Sequence, residues 1–116
     1  MNKTQQGAYG ENLACDFLKK QGYKILERNF RIRGGEIDVI AKDGDTLVYV
    51  EVKTRSSNQF GTPEESITVK KIRFLERAAK FYRLKRYNLS QSERIDAVSV
   101  TLSESPEIKL IKNITL

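Results

Sequence analysis

Three acids and a lysine cluster in two short runs of the chain: Glu36 and Asp38 in G-E-I-D-V-I, then Glu51 and Lys53 in V-Y-V-E-V-K-T-R. Side chains alternate along a strand, so residues two apart share a face. Asp43-Gly44, between the runs, is a strong two-residue hairpin signal. With that turn Lys42 pairs with Asp45, Glu36 lies opposite Glu51, and Asp38 lies opposite Tyr49. One face then carries Glu36, Asp38, Ile40, Leu47, Tyr49, Glu51, Lys53 and Arg55. The other carries Ile37, Val39, Ala41, Val48, Val50 and Val52 and reads as core; a three-residue turn would break this parity. Like charges on neighbouring strands destabilise a hairpin, so these acids need a positive companion. Lys53 and Arg55 supply part of it. A hard divalent cation supplies it better, because Mg²⁺ is held by one or two carboxylates together with waters and a phosphate.

The rival reading is an exposed, salt-bridged sheet face, and for Glu51 and Lys53 taken alone it is the favoured one. The apolar run V-Y-V-E-V weighs against it. A strand with Val at every second position belongs in the middle of a sheet, and charges at its end beside Gly34-Gly35 are poorly placed as solvent decoration. Histidine is absent, which removes Ser-His-Asp and Cys-His catalysis, zinc sites built on His, and any His base. Hydrolysis here has to rest on carboxylates and Lys, with or without a metal ion.

The elements that would position these groups follow from pattern. The chain has 116 residues, 39% hydrophobic and 31% charged, enough for one globular domain over 1–116 and not for two. A helix is expected over 4–21, capped by Thr4 and closed by Gly22. Strands are expected over 23–30, 36–42 and 46–55, with a basic glycine loop over 31–35 and a polar loop over 56–63. A second helix starts between 64 and 69 and runs to about 85; strands over 95–102 and 107–111 complete the chain. This order predicts an α/β or α+β domain, one sheet covered by helices. No apolar run reaches the roughly 20 residues of a membrane helix, and the polar start is no signal peptide. The lone Cys15 reads as a buried filler in a reducing cytoplasm.

On the first helix Gly7, Gly10, Leu13, Ala14, Phe17 and Leu18 form the packing face, with Glu11 at its border. The small residues allow a close approach to a neighbour, and a Glu in the first turns also suits the helix dipole. The second helix is strongly basic. K-K-I-R-F-L-E-R-A-A-K-F-Y-R-L-K-R, residues 70–86, holds eight basic residues and one acid, so its +7 exceeds the net +6 of the whole chain. Ile72, Leu75, Ala78, Ala79 and Tyr82 form its buried stripe, while Lys70, Arg73, Arg77 and Lys80 line the opposite side. An unmixed basic face favours phosphate contact. Phe74 and Phe81 fall outside the apolar stripe and read as a dimer contact, a base-stacking surface or a lid over the sheet edge, the first and last favoured. Arg31, Arg33 and Arg55 flank the acids and are candidates to neutralise a phosphate backbone. Glu36 is expected to pair with Arg33 or Lys53. Arg94 and Asp96 are expected to form a buried structural ion pair.

G-E-I-D-V-I followed by V-E-V-K-T-R resembles the core of the PD-(D/E)XK, restriction-endonuclease-like nucleases, with Ile37 where the proline of that name would stand. G-A-Y-G-E-N-L-A, N-F-R-I-R-G-G-E-I-D, E-V-K-T-R and R-I-D-A-V-S-V resemble more closely the small, uncharacterised YraN-like bacterial family, which is similar in layout to archaeal Holliday-junction resolvases. The resemblance runs from about Gly7 to Val100. It implies a restriction-endonuclease-like fold, a central mixed sheet flanked by helices, and a metal-dependent DNA endonuclease acting on duplex or branched DNA. Asp38, Glu51 and the Val52 carbonyl would hold Mg²⁺ or Mn²⁺, Lys53 would orient the attacking water, and Glu11 would complete the metal site. Pairing into a homodimer is a further implication, since a junction has two symmetric strands to cut. Two rivals stand beside this reading: a non-catalytic nucleic-acid-binding module of the same fold, and an adaptor whose basic helix meets an acidic protein. Neither a membrane nor a small-molecule substrate is expected as a partner.

Overall fold

The computed structural model describes residues 1–56 and 66–115; apart from Ser56, the polar loop expected over 56–63 lies outside them. The elements follow in the order α1 (Lys3–Lys20), β1 (Lys24–Ile32), β2 (Gly35–Asp43), β3 (Thr46–Arg55), α2 (Val69–Arg83), β4 (Glu93–Thr101) and β5 (Glu107–Ile111). The five strands form one sheet in sequence order, β1-β2-β3-β4-β5. Only β3 and β4 are parallel, because the chain between them crosses over through α2, as a parallel pair requires. The expected central mixed sheet flanked by helices is therefore the one found. No helix among the described residues is long and apolar enough to cross a membrane.

Helix ends follow their local chemistry. The N-cap of α1 is Asn2 rather than Thr4: its side chain accepts from the Gln5 N–H at 2.8 Å, and the Gln5 side chain accepts in return from the Asn2 N–H at 3.0 Å. This reciprocal pair satisfies two amides that would otherwise lack partners, which one Thr cannot do. Gly22 ends the helix at φ +94. Its N–H reaches Lys19 O and that of Tyr23 reaches Leu18 O, the paired bonds of a glycine-terminated helix. Helix α2 starts at Val69, with the Thr68 hydroxyl accepting from the Lys71 N–H at 3.1 Å.

Both sheet faces are buried. Against α1 lie Val39, Ala41, Val48, Val50, Val98 and Val100 with Ala14, Cys15 and Leu18. Against α2 lie Ile37, Ile40, Leu47, Tyr49 and Ile95 with Leu75, Ala78, Ala79 and Tyr82. Of the expected stripes, Gly10, Ala14 and Leu18 of α1 and all five residues of α2 are buried, while Gly7, Leu13 and Phe17 are half-buried; Phe74, expected outside the α2 stripe, is buried with it. Ile37 is a correction: it belongs to the α2 side, while Val39 and Ala41 face α1, so strict alternation slips at Asp38.

The hairpin register also differs from expectation. Asp43 pairs with Thr46, Lys42 with Leu47 and Ile40 with Tyr49, so the turn residues are Gly44-Asp45 and the pairing moves by two. Gly44 at φ +59 takes the first central position, where one glycine provides the only positive φ needed. A turn centred on Asp43-Gly44 would have asked the same of Asp43. Because the shift is even, the parity of the charged face survives on β3.

Candidate functional site

The site forms where β2 and β3 part. Their ladder runs from Asp43↔Thr46 to Val39↔Val50. Beyond it Ile37, Glu36 and Gly35 pair with β1, while β3 continues to Arg55 beside β4. Asp38 stands at the fork, and its Oδ2 accepts the Val52 N–H at 2.8 Å, so a carboxylate closes the gap where strand pairing ends. Across from it on β1, between the pairs Arg28↔Val39 and Phe30↔Ile37, Asn29 adopts φ +54. Asn tolerates that left-handed backbone better than most residues, and the kink accompanies the slip that turns Ile37 and Val39 to opposite faces.

Four carboxylates converge here. Oxygens of Glu11, Glu36 and Asp38 lie within 4.8 Å of one another, and Glu51 lies near enough to Asp38 for its carboxylate to raise the Asp38 pKa. Glu11 arrives on α1 because Gly10 lets that helix sit on β3: a Cβ at Gly10 would lie 1.9 Å from Thr54 Oγ1 and 2.9 Å from its Cβ. Asn29 Nδ2 donates to Glu11 Oε1 at 3.1 Å and to Glu36 Oε1 at 3.3 Å, tying the two together.

Each acid is balanced separately. Arg28 faces Glu11 at 3.5 Å, Arg31 faces Glu36 at 3.1 Å, and Lys71 faces Glu51 at 3.1 Å. Asp38, 9% exposed, is balanced by a proton. Burial pushes its carboxyl up to about 9, the adjoining Glu51 carboxylate reinforces the rise, and the Val52 N–H opposes it. The Glu36 pairing corrects the expected partners: Arg31, five residues back and across the β1–β2 pair, is the cation in reach, not Arg33 or Lys53.

The donor set fits a hard divalent cation. All donors are carboxylate oxygens, and Glu36 Oε2 is buried without a hydrogen bond despite Arg31 nearby. Ligands at roughly 2.0–2.6 Å place opposite oxygens ~4–5 Å apart, a spacing compatible with oxygens that all lie within 4.8 Å of one another. Glu11, Glu36 and Asp38 can therefore hold one metal ion, with Glu51 beside Asp38.

Of the residues named from sequence, Asp38, Glu51 and Glu11 are thus brought together. The Val52 N–H binds Asp38, and its side chain packs on the α1-side core. Lys53 is exposed and makes no ion pair among the described residues; the lysine on Glu51 is Lys71. Arg31 and Arg33 are exposed and Arg55 is half-buried at the end of β3. Lys70, Arg73, Arg77 and Lys80 are exposed along α2. Phe74 covers the β1–β2 turn, its ring 2.9 Å from where a Gly35 Cβ would sit, with Lys71 and Arg77 over the ring at 5.1 and 5.3 Å. Lys71 and Asn29 escaped the sequence reading. For Asn29 a signal existed, an Asn inside a strand pattern, where that residue is depleted.

On β4 Asp96 is fully buried and Arg94 Nε donates to its Oδ1 at 2.9 Å, the expected structural pair. Tyr23 and the Asn113 N–H also bind Asp96, each at 2.9 Å.

Residues 10–100 match the model of the uncharacterised protein family UPF0102. A UPF0102 protein of Caldicellulosiruptor saccharolyticus is 48% identical over 97% of this chain and 98% of its own. One of Geobacter metallireducens is 47% identical over 97% and 93%. Among solved structures, SfsA of Pyrococcus furiosus in complex with Ca²⁺ aligns with 99% of this chain at 14% identity and a TM-score of 0.35, and the chain spans 65% of its length. A family match across most of the chain and near-full-length relatives at almost half identity establish that this chain belongs to UPF0102, the YraN-like family.

Proposed function

We propose that the chain is a divalent-metal-dependent DNA endonuclease that hydrolyses phosphodiester bonds, with branched or junction DNA as its preferred substrate. One arrangement carries the reading: Glu11, Glu36 and Asp38 present oxygens within 4.8 Å of one another, with the Glu51 carboxylate near Asp38, beside a helix whose exposed side is basic. Mg²⁺ or Mn²⁺ in that position supplies charge against the scissile phosphate and lowers the pKa of a bound water. Asp38 also anchors β3 at the Val52 N–H, next to the Val52 carbonyl that the PD-(D/E)XK resemblance assigns to the ligand set. Lys53, two residues beyond Glu51 and exposed, orients the attacking water and meets developing negative charge. Arg31, Arg33, Arg55 and the basic residues of α2 bind flanking phosphates, an interaction that weakens steeply with salt.

The test is cleavage of a four-way junction, a flap and a plain duplex by purified protein with Mn²⁺ or Mg²⁺. Cutting is expected to vanish with EDTA and in Asp38→Asn with Glu51→Gln, while Lys53→Ala binds but does not cut. Full-rate cleavage by the Lys53 variant would identify a contaminant. Metal-independent DNA binding with no cleavage under any condition would instead favour the non-catalytic nucleic-acid-binding module.

A further inference from the structure

Three hollows run end to end along α2 and the edge strand β1. The first, about 780 Å³, lies between Gly34 of the β1–β2 turn and the start of α2 and is lined in part by Lys71, whose ammonium reaches Glu51. The second, about 460 Å³, lies between Arg33 and Phe81, and the third, about 250 Å³, between Phe81 and Lys85. Arg77 lines the first and second; Ile32 and Phe81 line the second and third. They form one groove of ~24 Å, the rise of the helix from Thr68 to Leu84. Basic residues line every part of it, among them Lys70, Arg73, Arg77, Arg33 and Lys85, and no Asp or Glu among the described residues does. Phe81 stands in the middle, 50% exposed. Phe74 differs, because its ring is spent over Gly35 beneath Lys71 and Arg77.

We infer that this groove binds a single strand of nucleic acid, with phosphates on Arg33, Arg77 and Lys85 and a base stacked on the Phe81 ring. A duplex hides the faces of its bases, whereas a single strand offers one to any exposed aromatic ring, and basic grooves with aromatic platforms bind single strands with little sequence preference. A symmetric contact with a second copy is disfavoured by charge, because it would set the same basic surface against itself. An unpaired strand lying here leads to the carboxylates at the β2–β3 fork, so the substrate of the proposed nuclease is one with a single-stranded arm. In that last step the inference rests on the nuclease reading; the binding itself does not.

The experiment is fluorescence anisotropy in EDTA, comparing a duplex bearing a single-stranded arm with a blunt duplex of the same length. Wild type is expected to bind the armed substrate more tightly. Phe81→Ala should erase that advantage, on the order of tenfold for one stacked base, and leave blunt binding within about twofold. Phe81→Tyr should restore it. Arg33→Ala should reduce the salt slope for the armed substrate by about 0.7. Equal affinity for both substrates, or an advantage that survives Phe81→Ala, overturns the proposal. So does sedimentation showing a dimer that Phe81→Ala dissociates, which would assign the ring to self-association. Phe81 lies outside the buried core, so thermal melting should certify every variant as folded. Because the assay needs no metal, its failure leaves the cleavage test standing, and failed cleavage leaves this one standing.

Discussion

Lys71 Nζ lies 3.1 Å from Glu51 Oε2, so an ammonium from α2 stands beside the carboxylate assigned to the metal site from the sequence. It acts as a tethered cation that neutralises Glu51 while no divalent ion is bound, and an incoming ion competes with it. Lys71→Met should therefore tighten Mn²⁺ binding, several-fold given the part exposure of the pair, as read by calorimetric titration. Weaker binding in that variant would instead make Lys71 a support that holds Glu51 in place.

Asp38 sets the pH response of the metal-free protein. Its carboxyl is raised from 3.8 to about 9 in the folded state, so between those values the native state holds a proton that the unfolded chain has released. Stability must then fall as pH rises across that window, by at most ~1.4 kcal/mol per pH unit. Urea unfolding in EDTA at a series of pH values should show the decline, and Asp38→Asn should remove Asp38's share of it. Metal binding expels the same proton, so the rise in Tm with Mn²⁺ should grow with pH in wild type.

Gly10 controls how closely Glu11 approaches. A Cβ there meets three atoms of Thr54 at 1.9 to 2.9 Å, and turning the Thr54 side chain cannot clear its own Cβ. Gly10→Ala should push α1 off β3 at a cost of about 1–3 kcal/mol, and should weaken metal binding through the displaced Glu11. Adding Thr54→Ala should recover part of both losses, measured by chemical unfolding and by titration.

The Arg94–Asp96 pair is expected to matter for stability and not for the site. Asp96 is fully buried, so Arg94→Met leaves a buried charge short of its partner and should cost about 3–5 kcal/mol. Tyr23→Phe should cost less, about 1 kcal/mol, since the Asn113 N–H still binds Asp96. In both variants metal affinity per folded molecule should match wild type.

Local pattern was enough for much of this molecule. The α2 stripe of Ile72, Leu75, Ala78, Ala79 and Tyr82, the strand at Glu107–Ile111 and the helix-ending Gly22 each depend on residues a few positions apart. Asp38 and Glu51 could be associated for the same reason, because a hairpin turns sequence spacing into spatial pairing. The register was less legible. Asp43-Gly44-Asp45 offers two ways to place one glycine, and only the packed sheet selects between them.

What sequence alone determined, then, were the elements, their buried stripes, the basic face of α2 and the acids that belong near one another. The tertiary structure decided where β2 leaves β3, that Asn29 kinks opposite Asp38, that Glu36 joins Glu11, and that Lys71 rather than Lys53 sits on Glu51. The reason is distance along the chain. Periodicity reports how a residue stands relative to its neighbours in sequence, whereas the contacts of Glu11 with Asn29 and of Glu51 with Lys71 join separate elements, and they exist only once both helices have packed against the sheet.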